Sequence, residues 1–178
     1  MINELSVKAK NTNNKARIAF YVTFAVSVVT FAISFFIDRF SGLVGNVGLI
    51  LIAVSILIFT KYISPVYYYD IMHDSSGAAV FVVRAVTGKR QSTFCRIGLS
   101  EIVKIEREDA VARRAHRTPH GVRKYSYVPT LGPDVTHRIY TRSRYERAEI
   151  VIEASDEFAA LLLEYSVAAR AAEMDSEE

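Results

Sequence analysis

Cysteine occurs once, at position 95, and tryptophan does not occur at all. One thiol cannot close an intramolecular disulfide, and it leaves no Cys-rich zinc site to consider. Cys95 sits in a strand-like stretch, where a buried small hydrophobe is the ordinary reading, and so low a cysteine count fits a reducing compartment. Glycine is scarce too, with eight residues in 178, and none of them frames a Walker loop, a dinucleotide fingerprint or a nucleophile elbow. These absences leave no recognisable catalytic signature. The expectation is a non-enzymatic chain with no cofactor.

The most consequential absence is charge. The 20 residues 18–37 and the 21 residues 40–60 contain no Asp, Glu, Lys, Arg or His, and only Asp38 and Arg39 separate the two runs. At a rise of about 1.5 Å per residue each run is about 30 Å long, the thickness of bilayer hydrocarbon. The apolar core of a signal peptide is shorter, about 7–15 residues, and ends at a small-residue cleavage site. Here a second apolar run follows at once, so both runs read as retained helices. With no ionisable group inside either span, a channel or transporter acting alone is not expected.

What remains divides the chain. Residues 1–17 form a cytoplasmic N-terminal segment, 18–37 a first transmembrane helix, 38–42 an extracytoplasmic turn and 43–63 a second transmembrane helix. A soluble domain over 66–172 and an acidic tail over 173–178 complete it. Lys8, Lys10, Lys15 and Arg17 precede the first span, Lys61 follows the second, and the turn holds Arg39 alone. The positive-inside rule then places both termini in the cytoplasm of a multi-pass plasma-membrane protein. Thr23, Ser27, Thr30 and Ser34 share one helical face, as do Gly45, Gly48 and Ser55. Small and hydroxyl residues let helices approach closely in lipid, so these seven are the expected interface of the hairpin, or of a homo-oligomer or membrane-protein partner. Asn46 is the one strong polar side chain of the second span.

After Pro65 the period changes. Strands are expected over 66–73, 78–86, 91–97, 99–108, 124–128, 136–142 and 147–154, with turns at 74–77 and 87–89. Tyr62, Tyr67, Tyr68 and Tyr69 are open between the membrane interface and the domain core. From Ser155, an N-cap, Asp156 and Glu157 open a helix with Phe158, Leu161, Leu162 and Tyr165 on one stripe.

About seven short antiparallel strands closed by one amphipathic C-terminal helix resembles the pleckstrin-homology (PH) fold, and more narrowly the bacterial PH-like domains that follow a two-helix anchor. The resemblance is carried by residues 69–73 (YDIMH), 79–84 (AVFVVR), 87–90 (TGKR) and 96–105 (RIGLSEIVKI), and by the last strand running into Ser-Asp-Glu-Phe. It implies an α+β chain: an N-terminal transmembrane hairpin, then a PH-like antiparallel β-barrel or sandwich. Lipid-binding PH domains hold inositol phosphates with a Lys near the end of the first strand and an Arg-x-Arg pair in the second. Here the first turn is His73-Asp74-Ser75-Ser76-Gly77 and the second strand offers only Arg84, so that pattern is absent.

Net charge of +3 hides a segregation. Residues 107–147 carry ten Lys/Arg against four acids, and residues 148–178 nine acids against one Arg, which suggests two faces or an internal pairing. Residues 111–127 hold Arg113, Arg114, Arg117, Arg123 and Lys124 with no acid. Near anionic headgroups each is worth about 1 kcal/mol, and these five are the expected contact residues for lipid or for an acidic protein partner. His116 and His120 are four apart, but Pro119 between them and the neighbouring cations argue against a metal. No nucleic-acid module is recognisable, and nucleic acid is not an expected partner. The function expected is a membrane-anchored PH-like binding or adaptor module at the cytoplasmic face of the plasma membrane. The alternative is a structural subunit of a larger membrane complex, with the hairpin as the interface.

Overall fold

The structure, a computed structural model, describes residues 4–9, 14–36, 41–143 and 146–177. Lys10 and the turn residues Asp38, Arg39 and Phe40 lie outside the described residues. The chain forms two compact units, one of residues 12–65 and one of residues 1–11 with 66–178.

The first unit is a helix pair. Helix α1 (Asn14–Ser34) and helix α2 (Ser41–Ile58), which runs on into a π-helical turn (Phe59–Ile63), are both long and apolar enough to cross a membrane. Their apolar side chains mostly point outward: Ile18 is 64% exposed and Leu57 66%. The contact between them is made by small residues instead. Ser27, Ser34, Gly48 and Ser55 are buried, while Thr23, Thr30 and Gly45 are half-buried. A Cβ at Gly48 would lie 3.1 Å from the Phe31 backbone, so the two helices touch main chain to main chain there. The hydroxyls satisfy themselves on their own helices: Ser27 donates to the Phe24 carbonyl (2.6 Å), Ser34 to Phe31 (2.6 Å) and Ser55 to Leu51 (2.9 Å). They serve the packing by size and not by bonding across it.

The second unit is α+β. Sheet A has the order β1 (Leu5–Lys8), β2 (Val66–His73), β3 (Ala79–Thr87), β4 (Arg90–Gly98), antiparallel throughout. Val-rich β3 is buried on both faces, and Gly88 at φ +60° supplies the first central position of the two-residue turn into β4, as a type II′ turn requires. A short 3₁₀ turn (Leu99–Glu101) leads into sheet B, ordered β5 (Ile102–Asp109), β7 (Val135–Arg142), β8 (Arg147–Ile152), β6 (Arg123–Tyr127). Helix α3 (Ala110–Ala115) follows β5, and helix α4 (Asp156–Glu177) ends the chain.

Two expectations need correction. Among the described residues the strands are eight, not about seven, because Leu5–Lys8 joins the sheet in advance of the helix pair. The arrangement is not an all-antiparallel barrel either. β6 runs parallel to β8, and among the described residues no backbone ladder joins sheet A to sheet B, so the two sheets form no closed barrel. At the open side, β4 carries a bulge in which Phe94 has no partner on β3. Such a bulge twists an edge strand and blunts it against further pairing.

The core lies between the inner faces of both sheets and α4. Ile71, Phe81, Val83, Leu99, Ile102, Ile139, Ile150, Ile152, Phe158 and Leu162 are all nearly or wholly buried. Of the four tyrosines left open by sequence, Tyr67 and Tyr69 belong to the core of the soluble unit. Tyr69 is fully buried, packs with its ring centroid 6.3 Å and 6.5 Å from those of Phe158 and Phe81 in tilted pairs, and links the sheets by donating to the Tyr127 carbonyl (2.8 Å) while accepting from Glu153 N (3.1 Å). Burial pushes its phenol well above the usual range. Tyr67 stacks on Phe94, and Tyr62 lies under the Lys61 ammonium.

Candidate functional site

The basic segment is built from β5 onward. Asp109 caps α3 by accepting from Val111 N (2.9 Å) and Ala112 N (2.7 Å), which satisfies the first free amides of the helix. After α3 the chain is extended, turns at Gly121 (φ +79°) and enters β6 at Arg123. It covers the face of sheet B opposite the core. In the strands, Ile105, Ile139 and Ile150 face inward in register, and Glu108, Arg138 and Glu149 face the other way.

Under this cover sits a charged cluster that the sequence reading did not find. Arg138 is wholly buried. Its Nε donates to Glu108 Oε1 (2.7 Å), its second terminal nitrogen to Glu108 Oε2 (2.8 Å) and its first to Glu149 Oε2 (2.5 Å). Glu149, also wholly buried, accepts from Thr118 Oγ1 (3.1 Å) and lies 3.1 Å and 3.2 Å from His116 Nε2. A carboxylate only accepts, so His116 Nε2 carries a hydrogen. The other imidazole nitrogen is 3.9 Å from Glu108. Two buried carboxylates against one guanidinium leave one negative charge, and His116, brought in by the basic segment, faces it.

The five predicted contact residues therefore divide. Arg113 is half-buried and donates to the Pro133 carbonyl (2.8 Å), a structural role. Arg123 is exposed and lies 3.5 Å from Glu146. Arg114, Arg117 and Lys124 are exposed. The structure does not bring His116 and His120 together: the first points into the cluster and the second is exposed. Among the described residues no group of three His, Cys, Asp or Glu side chains is placed to hold a metal.

The acidic C-terminal part of the chain supplies several partners. Asp156, in the first turn of α4, lies 3.1 Å from Arg107 Nε and accepts from His137 Nε2 at 3.0 Å. Beside the cluster, the Lys104 ammonium and then the Tyr140 hydroxyl hold the Glu106 carboxyl below its usual range, while burial and then Glu106 push the Tyr140 phenol up. Cys95 is half-buried, and its thiol is pushed up to about 11 by burial, a value that keeps it protonated and unreactive at neutral pH.

Comparison of the chain with protein-family models, with curated proteins and with solved structures finds no match.

Proposed function

We propose that this chain is a non-enzymatic, membrane-anchored surface module with a PH-like soluble unit, held at the cytoplasmic face of a plasma membrane. The helix pair is the anchor, and the exposed cations Arg114, Arg117 and Lys124 meet anionic headgroups. The observation that carries this reading is the pairing of β1 with β2. β1 precedes α1 and β2 follows α2, yet Lys8 lies opposite Tyr68 in one antiparallel ladder. Strands on opposite sides of a bilayer cannot share hydrogen bonds, so a spanning helix pair must return the chain to the side it left. The charge bias of the flanks supports that side being the cytoplasm.

The internal pairing sharpens the headgroup reading. Arg113 and His116 are engaged inward, which holds the segment in place, and Arg114, Arg117 and Lys124 remain at its surface. Three such residues near acidic lipid contribute about 3 kcal/mol at low salt, enough to orient a body already anchored. The test uses full-length protein in nanodiscs of neutral or of acidic phospholipid, read by amide exchange. Acidic lipid should slow exchange across residues 113–124, and added salt should restore it. Equal exchange in both lipids would remove the headgroup role and favour an acidic protein as the partner.

A subunit role in a larger membrane complex is the second reading. It is favoured by Asn46, a polar side chain exposed on the surface of apolar α2, where a neighbouring helix would offer it a hydrogen bond.

A further inference from the structure

We infer that the open cleft between the β5–β6 connection and the adjoining ends of β7 and β8 is a binding site for a phosphate-bearing anion, held by Arg142 and Arg147 with Arg123 and His120 at its rim. The cleft has a volume of about 690 Å³ and is lined by these four residues together with Ser143 and Glu146 among others. Its position follows from the topology. Because β6 runs parallel to β8, both strands begin at the same end of sheet B, and β7 ends there. Arg123 opens β6, Arg147 opens β8 and Arg142 closes β7, so all three lie at one end of sheet B, Arg142 and Arg147 on its outer face and Arg123, level with Ala148, on the core-facing side of the rim. Gly121, at φ +79°, turns the preceding segment so that His120 joins the lining.

The charge arrangement is what points to a ligand. Arg142 and Arg147 are directly opposed across the β7–β8 ladder. Like charges in that relation work against the pairing, and the backbone beside them is held in register by Ser143 N donating to the Glu146 carbonyl at 2.9 Å. Among the described residues neither arginine forms an ion pair. The cleft's one acid, Glu146, is already shared between Arg123 Nε (3.5 Å) and the Tyr125 hydroxyl (3.2 Å). Arg142 and Arg147 thus share one face with no carboxylate paired to either among the described residues, while Arg123 at the rim is already occupied by Glu146. Guanidinium forks bind carboxylate and phosphate alike in planar, two-point contacts, which a chloride ion cannot offer; a phosphate has oxygens enough to meet two forks at once, whereas one fork takes up both oxygens of a carboxylate. A phosphate group placed between Arg142 and Arg147 would turn their repulsion into a shared attraction. It could come from a soluble phosphorylated molecule or from a phosphomonoester headgroup; only the second source rests on the membrane reading above.

The test uses the full-length protein in neutral detergent micelles, titrated with inorganic phosphate against chloride at matched ionic strength, with thermal unfolding of the soluble unit as the readout. A ligand that binds only the folded state raises the melting temperature. Phosphate should raise it saturably. Arg142→Gln should weaken phosphate affinity about tenfold or more, and in phosphate-free buffer it should melt above the wild type, because the opposed charges are gone. Lys89→Gln, an exposed cation in the β3–β4 turn outside the cleft, should keep the full response. A second arm compares neutral nanodiscs doped with a phosphomonoester lipid or, at equal charge, with a phosphodiester lipid. A response to free phosphate assigns a soluble ligand. A response to the monoester lipid alone, lost in Arg142→Gln, assigns a headgroup. No response in either arm, or an unchanged response in Arg142→Gln, overturns the site. Slowed exchange at residues 113–124 on acidic lipid with no phosphate response would discard the cleft and leave the membrane reading standing; the opposite pattern would do the reverse.

Discussion

Arg138 and Glu108 form a two-point ion pair, Nε to Oε1 at 2.7 Å and a terminal nitrogen to Oε2 at 2.8 Å, on the side of sheet B that faces away from the hydrophobic core. Both are buried, and His116 and Thr118 of the returning segment meet Glu149 beside them. Glu149 and His116 complete the group, so the charged segment and the sheet are joined through a desolvated network.

Breaking that network at its centre should be costly. Arg138→Met leaves Glu108 and Glu149 buried with only His116 to offset them, and the expected loss is about 3–5 kcal/mol. Replacing all three charges together, as Glu108→Leu, Arg138→Met and Glu149→Leu, should cost far less, because no unpaired charge remains. Urea unfolding of the detergent-solubilised protein, followed by tyrosine near-ultraviolet circular dichroism, separates the two. Equal losses for the single and triple variants would show that the ion pair is incidental to the packing.

Two other carboxylates should give opposite pH signatures. Burial raises the Glu153 carboxyl above its usual range, even though Thr130 N donates to it at 3.1 Å. A raised carboxyl contributes stability at low pH, below its unfolded value, and that contribution is lost as pH climbs through the folded value. Glu153→Gln should therefore melt higher than the wild type at neutral pH, with the gap closing as the solution is acidified. Glu106 is held low by Lys104 and then by Tyr140. Its contribution is present above the unfolded value and lost as pH falls through the folded one, so Glu106→Gln should melt lower than the wild type at neutral pH and converge with it in acid. Melting curves of the three proteins from acid to neutral pH check both signs at once.

The helix pair depends on one close approach. Gly48→Leu would drive a side chain into the Phe31 main chain, where even a Cβ sits at 3.1 Å. Overpacking of this kind costs about 1–3 kcal/mol. Gly42→Leu, with nothing within 4 Å of the new Cβ, is the control and should be neutral. Unfolding in mixed micelles of rising sodium dodecyl sulfate measures the difference. Equal behaviour of the two variants would mean that the helices do not pack through this face.

Much of this architecture was legible before any coordinates, and the gaps have physical causes. The two charge-free runs identify the helix pair by length alone, and alternation, as in Leu99–Glu108, together with valine content, as in Ala78–Val86, marks the strands of the soluble unit. β1 escapes because a four-residue strand has too little pattern to stand out, although Leu5 and Val7 alternate with Ser6 and Lys8. The parallel pairing of β6 is hidden because the connections on either side of it carry no period that fixes direction. Arg138 was unreadable as a buried residue: alternation in Thr136–Arg142 assigns it away from the core, and only the fold reveals that a second layer covers that face. The basic segment looked uncompensated for the same reason. Its window holds no acid, yet Glu149 lies 33 residues beyond His116 in sequence and within 3.2 Å of it in space.

The central claim is that a membrane-spanning helix pair returns the chain to the side from which it started, so that β1 and β2 can share a sheet. Single cysteines placed in a Cys95→Ala background at Glu4, Ser41 and Arg117, reacted with a membrane-impermeant maleimide in sealed inverted and right-side-out vesicles, test it directly. The account predicts that positions 4 and 117 label from the same side, in inverted vesicles, and that position 41 labels only in right-side-out ones. Labelling of positions 4 and 117 from opposite sides, or of all three in both preparations, would contradict it.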